Sequence, residues 1–539
     1  MKCYLFFLGV CALLLVGCRD EPNAAATSTL PSLNPTPITP PPTLTSIPMT
    51  AEAPPPTPTT TGLDPEGPPP SGLFDVAWEE RSLFATNLIP NEQGILSGLP
   101  GATVYHLDIT IDESLTGIRG RVELLYTNRD DTPLNEIYLR LFPQLFGGAS
   151  TASEVQVNRQ AITPDLELNG SALRLPLITP LEPGAQVVIS MNFVVTVPTT
   201  PEGNYGAFAT IDSIMALAHF YPMVTVFDDE GWNIEIAPPA GDVVYAEASF
   251  YLVRITAPAD LILITSGVIT ERQMVDNQQI VTAAAGPARD FYIAGSPRFV
   301  AVSGASGESI VTSYTLPEYE DRAREVLDYA LYALNVYGTH YGPYPYTELE
   351  IASTPNQALG IEYPGVFVNT MTLYTPEQEF SVPDSYYIES TTAHETAHQW
   401  FYNTVGNDQL DDPWLDEAMA QFSTYLYFLD RYGVEGAQGF ADSFTLRWER
   451  GANNADIPVG LPVRDYTGPE YSAIVYGRGP LFFLALQDEM GLEPFAAFLQ
   501  DYYRSYQWGI ATTEGLQAVA EAHCGCDLTT LFAAWVLPH

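Results

Sequence analysis

The 539-residue sequence predicts a multidomain α+β protein, with an N-terminal antiparallel β-sandwich followed by a mainly helical metal-binding domain. Three observations predict it. Apolar residues alternate with period two from Tyr105 to about Val302; after Ser303 the apolar spacing changes to 3.6; and the helical region contains His394-Glu395-Thr396-Ala397-His398. A hydrophobic content of 46% is that of a globular protein, and the length exceeds what one ordinary core accommodates.

The chain begins with Lys2 and an apolar run from Tyr4 to Val16, too short to be a comfortable membrane span and suited to a signal-peptide core, residues 1–17. Leu15-Val16-Gly17-Cys18 resembles the lipobox of bacterial lipoproteins, which implies lipidation of Cys18, a membrane partner through that N-terminal anchor, and a place in the cell envelope on the extracytoplasmic face of a bacterial membrane. An ordinary cleaved signal or an uncleaved anchor are the alternatives, and each also places the folded part outside the cytoplasm. Residues 18–72 are rich in Pro, Thr, Ser and Ala, as in Pro54-Pro55-Pro56-Thr57-Pro58. Such a segment buries too little apolar surface to offset its ordering entropy and reads as an extended linker.

A β domain is expected over 73–303. Tyr105, Leu107, Ile109 and Ile111 alternate with His106, Asp108, Thr110 and Asp112, and Val122, Leu124 and Tyr126 repeat the pattern after a turn. Gln186 to Val197, Ala246 to Ile255 and Leu261 to Thr265 are further strand-like runs. The net charge of -44 excludes nucleic acid as a partner, since a polyanion would be repelled. Once the signal has left with Cys3 and Cys11, and with Cys18 carrying lipid, Cys524 and Cys526 remain, able to form a disulfide in an oxidising compartment or, with His523, to bind a metal.

The second domain is expected over 304–539. Ala323, Val326, Leu327, Ala330, Leu331 and Leu334 form one helical stripe, with Gly338 expected as its C-cap. A strand from Glu348 to Ser353 precedes a loop from Asn356 to Gly365. One helix is expected from near Asp384 to about Tyr402, and a second from Asp412 as N-cap and Pro413 at its first position to Gly433. Helical stretches at Pro480 to Met490, Leu492 to Tyr506 and Leu528 to Trp535 complete the chain.

Two histidines four apart lie one above the other on a helix, so His394 and His398 can grip one metal ion while Glu395 sits beside it. Glu417, nineteen residues past His398 on the facing helix, completes a three-ligand set. Two imidazoles and a carboxylate with an open fourth position are the donors of a catalytic rather than a structural zinc. Because the chain holds only 7 His, such a pattern rarely arises by chance.

With these residues assembled, the chain resembles the aminopeptidase N family of gluzincin metallopeptidases from about Leu73 onward. Trp414-Leu415-Asp416-Glu417-Ala418 carries glutamate at the family's spacing; Leu359-Gly360-Ile361-Glu362-Tyr363 stands where the family has Gly-x-Met-Glu-Asn; and Tyr471 to Gly479 resembles the stretch with the family's catalytic tyrosine. The resemblance implies a saddle-like β domain packed on a thermolysin-like domain with one Zn2+ in the cleft between them. It also implies a peptide substrate, with His394, His398 and Glu417 as ligands, Glu395 as general base and Tyr476 as oxyanion donor. Gly360 and Glu362 would then bind substrate, the latter through its free α-amine. Asp416 is expected to orient a histidine through its second nitrogen, and an early helical Asp also favours the helix start electrostatically.

Leu359 and Tyr363 replace the family's glycine and asparagine, which implies altered substrate placement, and 214–220 lacks the Gln-x-Glu of many members. The sequence ends at His539 without the large C-terminal helical domain of long members, an arrangement expected to open the cleft to longer peptides. The expected activity is removal of N-terminal residues from peptides. A zinc endopeptidase or an epoxide hydrolase on the same fold is the alternative, and a non-catalytic surface lipoprotein is the rival from another class.

Overall fold

In the strand Val104–Ile111, residues Tyr105, Leu107, Ile109 and Ile111 all point into one core, as alternation requires. The computed structural model describes residues 72–201, 203–375, 384–453 and 455–538. The expected signal peptide, Cys18 and nearly all of the expected linker lie outside the described residues. The strand's other face is covered too, since the Trp78 ring stacks on His106 at 4.4 Å between centroids.

That strand is the fourth of an eight-stranded sheet, flanked by Ser249–Pro258 and Gly117–Thr127. It pairs antiparallel with Gly117–Thr127 but parallel with Ser249–Pro258, with Val104 opposite Phe250. The purely antiparallel expectation is therefore corrected: a mostly antiparallel sheet contains one parallel seam. Period-two alternation shows that a strand has two faces but not which way its neighbour runs. Two four-stranded sheets, one running from Ile262–Thr265 to Phe208–Ile211 and one from Met223–Val224 to Asp165–Glu167, and a two-stranded hairpin of Phe227–Asp228 with Gly231–Trp232 complete the β region among the described residues.

Beyond Ser303 the chain does not turn helical at once. Val300–Ser306 and Ser309–Thr315 form a hairpin that opens a second, five-stranded sheet, continued by Glu348–Thr354, Val366–Thr370 and the edge strand Gly360–Tyr363. The expected loop from Asn356 to Gly365 thus contains a strand, held by its antiparallel partner rather than by its own composition.

Eight α-helices follow among the described residues: α1 Glu320–His340, α2 Asp384–Ala397, α3 Trp414–Gly451, α4 Gly468–Ala473, α5 Gly479–Met490, α6 Leu492–Tyr506, α7 Thr513–Cys524 and α8 Thr529–Trp535. The stripe of α1 is buried at Ala323, Val326, Ala330 and Leu334, but Gly338 is an interior residue and the helix closes at Tyr341, whose N–H still bonds to Tyr337 O. The turn follows at Gly342, with φ 146°. Helix α2 ends at Ala397, five residues before the expected Tyr402, because Tyr402 sits at φ 118° and leaves helical space. Helix α3 opens after Pro413; Asp412 is not its cap, its Oδ1 instead accepting from the Thr513 hydroxyl at 2.9 Å. The expected stop at Gly433 is a break at φ 70°, after which the helix resumes to Gly451. Helix α7 had no strong apolar stripe in the sequence; its signals are Thr512, whose side chain accepts from Gly515 N–H, and Gly525 in the left-handed region at its end. Cys524 and Cys526 are joined by a disulfide, and His523 bonds to Asp501 instead of taking part in a metal site.

Candidate active site

Helix α2 and the turn after it present His394, Glu395 and His398, and α3 runs back beside them after the turn 403–411. The three donor atoms converge: His394 Nε2 lies 3.1 Å from His398 Nε2 and 3.2 Å from Glu417 Oε2, and His398 Nε2 lies 3.5 Å from that same oxygen. Bonds of about 2.0–2.1 Å to a tetrahedral ion place neighbouring donors about 3.3 Å apart, so the set fits one zinc. The tautomer fits as well. His398 Nδ1 donates to Phe401 O at 3.0 Å, which leaves the Nε2 lone pair free for a cation. Glu362, Glu395 and His398 also bring ligand atoms within 4.8 Å of one another, so two further carboxylates share the centre.

Burial governs the electrostatics. Glu395 is 4% exposed with Oε2 lacking a hydrogen-bond partner. Desolvation pushes its carboxyl well above the usual carboxylate range, against the pull of His398. Glu362 is raised in the same way, first by burial and then by Asp242. Burial also opposes charge on Glu417, but the hydrogen bonds from His394 and His398 outweigh it and hold its carboxyl below the ordinary range. His394 is lowered by burial, whereas for His398 the surrounding carboxylates, led by Glu362, overcome burial and raise it. The unequal shifts of two facing imidazoles follow from their neighbours: His398 is ringed by carboxylates, and His394 feels Arg447.

Tyr476 stands in a π-helical turn, Ile474–Arg478, between α4 and α5. The turn aims the hydroxyl at the centre, where it donates to Glu417 Oε1. Glu362 lies on the edge strand Gly360–Tyr363, and a Cβ at Gly360 would collide with the Glu395 carboxylate, so glycine there lets the strand pass directly over that side chain. Tyr363 faces inward, its ring stacked on Tyr292 at 3.8 Å between centroids; it replaces the family's asparagine without offering substrate a polar group.

Asp416 departs from expectation. Its Oδ1 accepts from Glu417 N–H at 2.8 Å and its Oδ2 from Gln409 Nε2 at 2.9 Å, so it fixes the backbone of a ligand and not a histidine nitrogen. At the first turn of α3 the carboxylate lies closest to the helix's own free N–H groups, which out-compete a more distant ring. Two contributors were not found from sequence. Gln409 bridges Asp416 and, at 3.4 Å, Glu362. Asp242, from the β region, faces Glu417 and Asp416, and its carboxyl is pushed well above the usual range by burial and then by those two charges. It follows Pro238-Pro239-Ala240-Gly241 at no fixed spacing from the histidines, so only folding reveals it.

A mostly β region is followed by a helical one, in which an HExxH turn and a glutamate from the next helix converge on one point, as expected of a gluzincin. Residues 326–535 match the peptidase family M1 domain, so over that stretch the chain is similar to the M1 peptidases. It is 29% identical over 243 residues to aminopeptidase M1-C of Oryza sativa subsp. japonica, covering 43% of this chain and 27% of that one. It is 26% identical over 257 residues to aminopeptidase N of Lactococcus lactis subsp. lactis, covering 46% and 30%. The chain therefore spans less than a third of the length of these two curated relatives. An M1 zinc metallopeptidase structure from Deinococcus radiodurans superposes with a TM-score of 0.58 at 20% identity, covering 81% of this chain and 94% of that one.

Proposed function

We propose that this chain is a zinc aminopeptidase that removes N-terminal residues from peptides outside the cytoplasm, tethered to a membrane through lipid on Cys18. The observation that carries the catalytic reading is the convergence of His394, His398 and Glu417 in one buried cluster beside Glu395 and Glu362. A zinc ion held by the three ligands would polarise the scissile carbonyl and lower the pKa of water toward about 7. Glu395, buried and with one oxygen unpartnered, takes the proton from the attacking water and passes it to the departing amine. Tyr476 releases Glu417 and donates to the oxyanion of the tetrahedral intermediate. The strand Gly360–Tyr363 has one free edge, since it pairs with Val366–Thr370 alone, and an extended peptide adds to it as a further strand. Glu362 on that strand accepts the substrate's α-ammonium, which restricts cleavage to the first residue.

A related solved structure of the Deinococcus radiodurans metallopeptidase holds a Tyr-Ser-Ala substrate, which supports short peptides as the substrate class here. The location outside the cytoplasm is supported by the lipobox-like Leu15-Val16-Gly17-Cys18 and by the Cys524–Cys526 disulfide, a bond favoured in oxidising compartments. Among the described residues no helix is long and apolar enough to cross a membrane.

The test is a panel of fluorogenic peptides with free and acetylated N-termini, assayed with and without a chelator. Chelator-sensitive turnover of the free peptides alone is expected. Equal turnover of blocked and free peptides would replace the exopeptidase with an endopeptidase, and chelator-resistant turnover would remove the metal from the mechanism.

A further inference from the structure

Arg289 and Asp290 belong to the β region, yet they hold the turn that carries His398. The Arg289 side chain is fully enclosed, 2% exposed, and among the described residues it forms no ion pair. Backbone carbonyls satisfy it instead. Nε donates to Tyr402 O at 3.1 Å and Asn403 O at 3.0 Å, Nη2 to Thr404 O at 3.2 Å and Gly509 O at 2.6 Å, and Nη1 to Ala246 O at 3.2 Å. Three consecutive carbonyls of the turn after α2 thus converge on one guanidinium. A Cβ at Gly406 would collide with that guanidinium, so glycine at 406 makes room for it. Asp290 grips the same turn by its side chain: Oδ2 accepts from the Tyr402 hydroxyl at 2.9 Å and from His219 Nε2 at 2.7 Å.

The gripped turn is strained. Tyr402 sits at φ 118°, a conformation that costs of order 1–3 kcal/mol and persists only where surroundings impose it. The strain matters because Tyr402 follows Phe401, whose carbonyl accepts from His398 Nδ1 at 3.0 Å. A turn relaxing toward helical geometry would move that carbonyl and release the imidazole's tautomer and tilt. A staple serving stability alone would not need to fix the residue beside the carbonyl that orients a ligand.

We infer that Arg289 and Asp290 are positioning residues for the metal centre: by clamping residues 402–404 from the β region they hold the Phe401 carbonyl in place and so aim His398 Nε2 at the ion. The inference rests on the zinc reading above. Hydrogen bonds to the second nitrogen of a ligating histidine typically govern metal affinity by 10–100-fold, and here the acceptor is itself held by a neighbouring region.

The test measures zinc affinity by competition with a chromophoric chelator, together with the visible spectrum of the cobalt-substituted protein, for wild type, Arg289→Lys and Tyr402→Phe. Tyr402→Phe removes one hydroxyl and keeps the ring, so it decides the matter if Arg289→Lys fails to fold. Asn128→Ala, which breaks hydrogen bonds to Thr132 O and Leu181 O within the β region, controls for general destabilisation. The expected result is about tenfold weaker zinc binding and shifted cobalt bands in both clamp variants, with kcat lowered more than KM is raised, and wild-type affinity in Asn128→Ala. Loss below threefold in both clamp variants, or an equal loss in Asn128→Ala, overturns the inference and leaves the zinc reading standing. Failure of the wild type to bind zinc overturns both.

Discussion

The Tyr476 hydroxyl donates to one oxygen of Glu417, while the other oxygen of the same carboxylate faces both imidazoles at 3.2 and 3.5 Å. A single glutamate therefore joins the two imidazoles to the tyrosine hydroxyl, and the two cannot move independently. Tyr476→Phe keeps the ring and loses the bond. We expect kcat to fall by about 10²–10³ with KM and zinc content nearly unchanged. A lower melting temperature at undiminished kcat would make Tyr476 a packing residue.

Glu362 is buried at 7% exposure beside Glu395, a costly place for a carboxylate unless a cation joins it. Glu362→Gln should reduce kcat/KM for peptides with a free amine by about a hundredfold, roughly 2.7 kcal/mol, mostly through KM. Acetylated peptides should respond to neither form. Unchanged KM for free peptides in Glu362→Gln would separate amine recognition from this residue.

Zinc removal should cost stability as well as activity, because the ligands tie the turn after α2 to α3. At zinc a hundredfold above its dissociation constant the linkage is about 2.7 kcal/mol, enough to lower the melting temperature by a few degrees on chelation and to restore it on readdition. Calorimetry showing identical melting with and without zinc would mean that the ion adds nothing to the native state.

Glu350 gives a pH dependence separate from catalysis. On the central strand Glu348–Thr354, its Oε2 is buried without a partner, and burial followed by the charge of Glu348 pushes its carboxyl from 4.5 up to about 8. Between those values the folded chain holds a proton that the unfolded chain has released, so stability is complete below the unfolded pKa and declines as pH rises through the folded one. Glu350→Gln should flatten this decline and stabilise the protein at pH 8 by on the order of 2 kcal/mol. Parallel denaturation curves for wild type and variant from pH 5 to 8 would refute the assignment.

Much of the centre was legible because its chemistry is local. The four-residue spacing of His394 and His398 sets two donors on one helical face, and α3 packing back beside α2 brings Glu417 within 3.5 Å of both. Helices α5 and α6 were readable at nearly their observed limits for the same reason, each carrying its own 3.6-residue stripe closed by a turn. Reading failed where a partner decides. The strand at Gly360–Tyr363 exists through its pairing with Val366–Thr370, and the parallel seam beside Val104–Ile111 depends on where Ser249–Pro258 returns.

The sequence by itself determined the pairing of His394 with His398, the place of Glu395 between them and the order of a β region before a helical one, since those follow from periodicity along the chain. Tertiary structure alone decided that Asp242 reaches the centre, that Asp416 serves the Glu417 amide and not a histidine, and that Arg289 grips the turn 402–404. The reason is physical: burial and hydrogen bonds act through space, between neighbours such as Asp416 and Glu417 as well as between Arg289 and a turn more than a hundred residues away, and no repeat along the chain encodes which groups will meet.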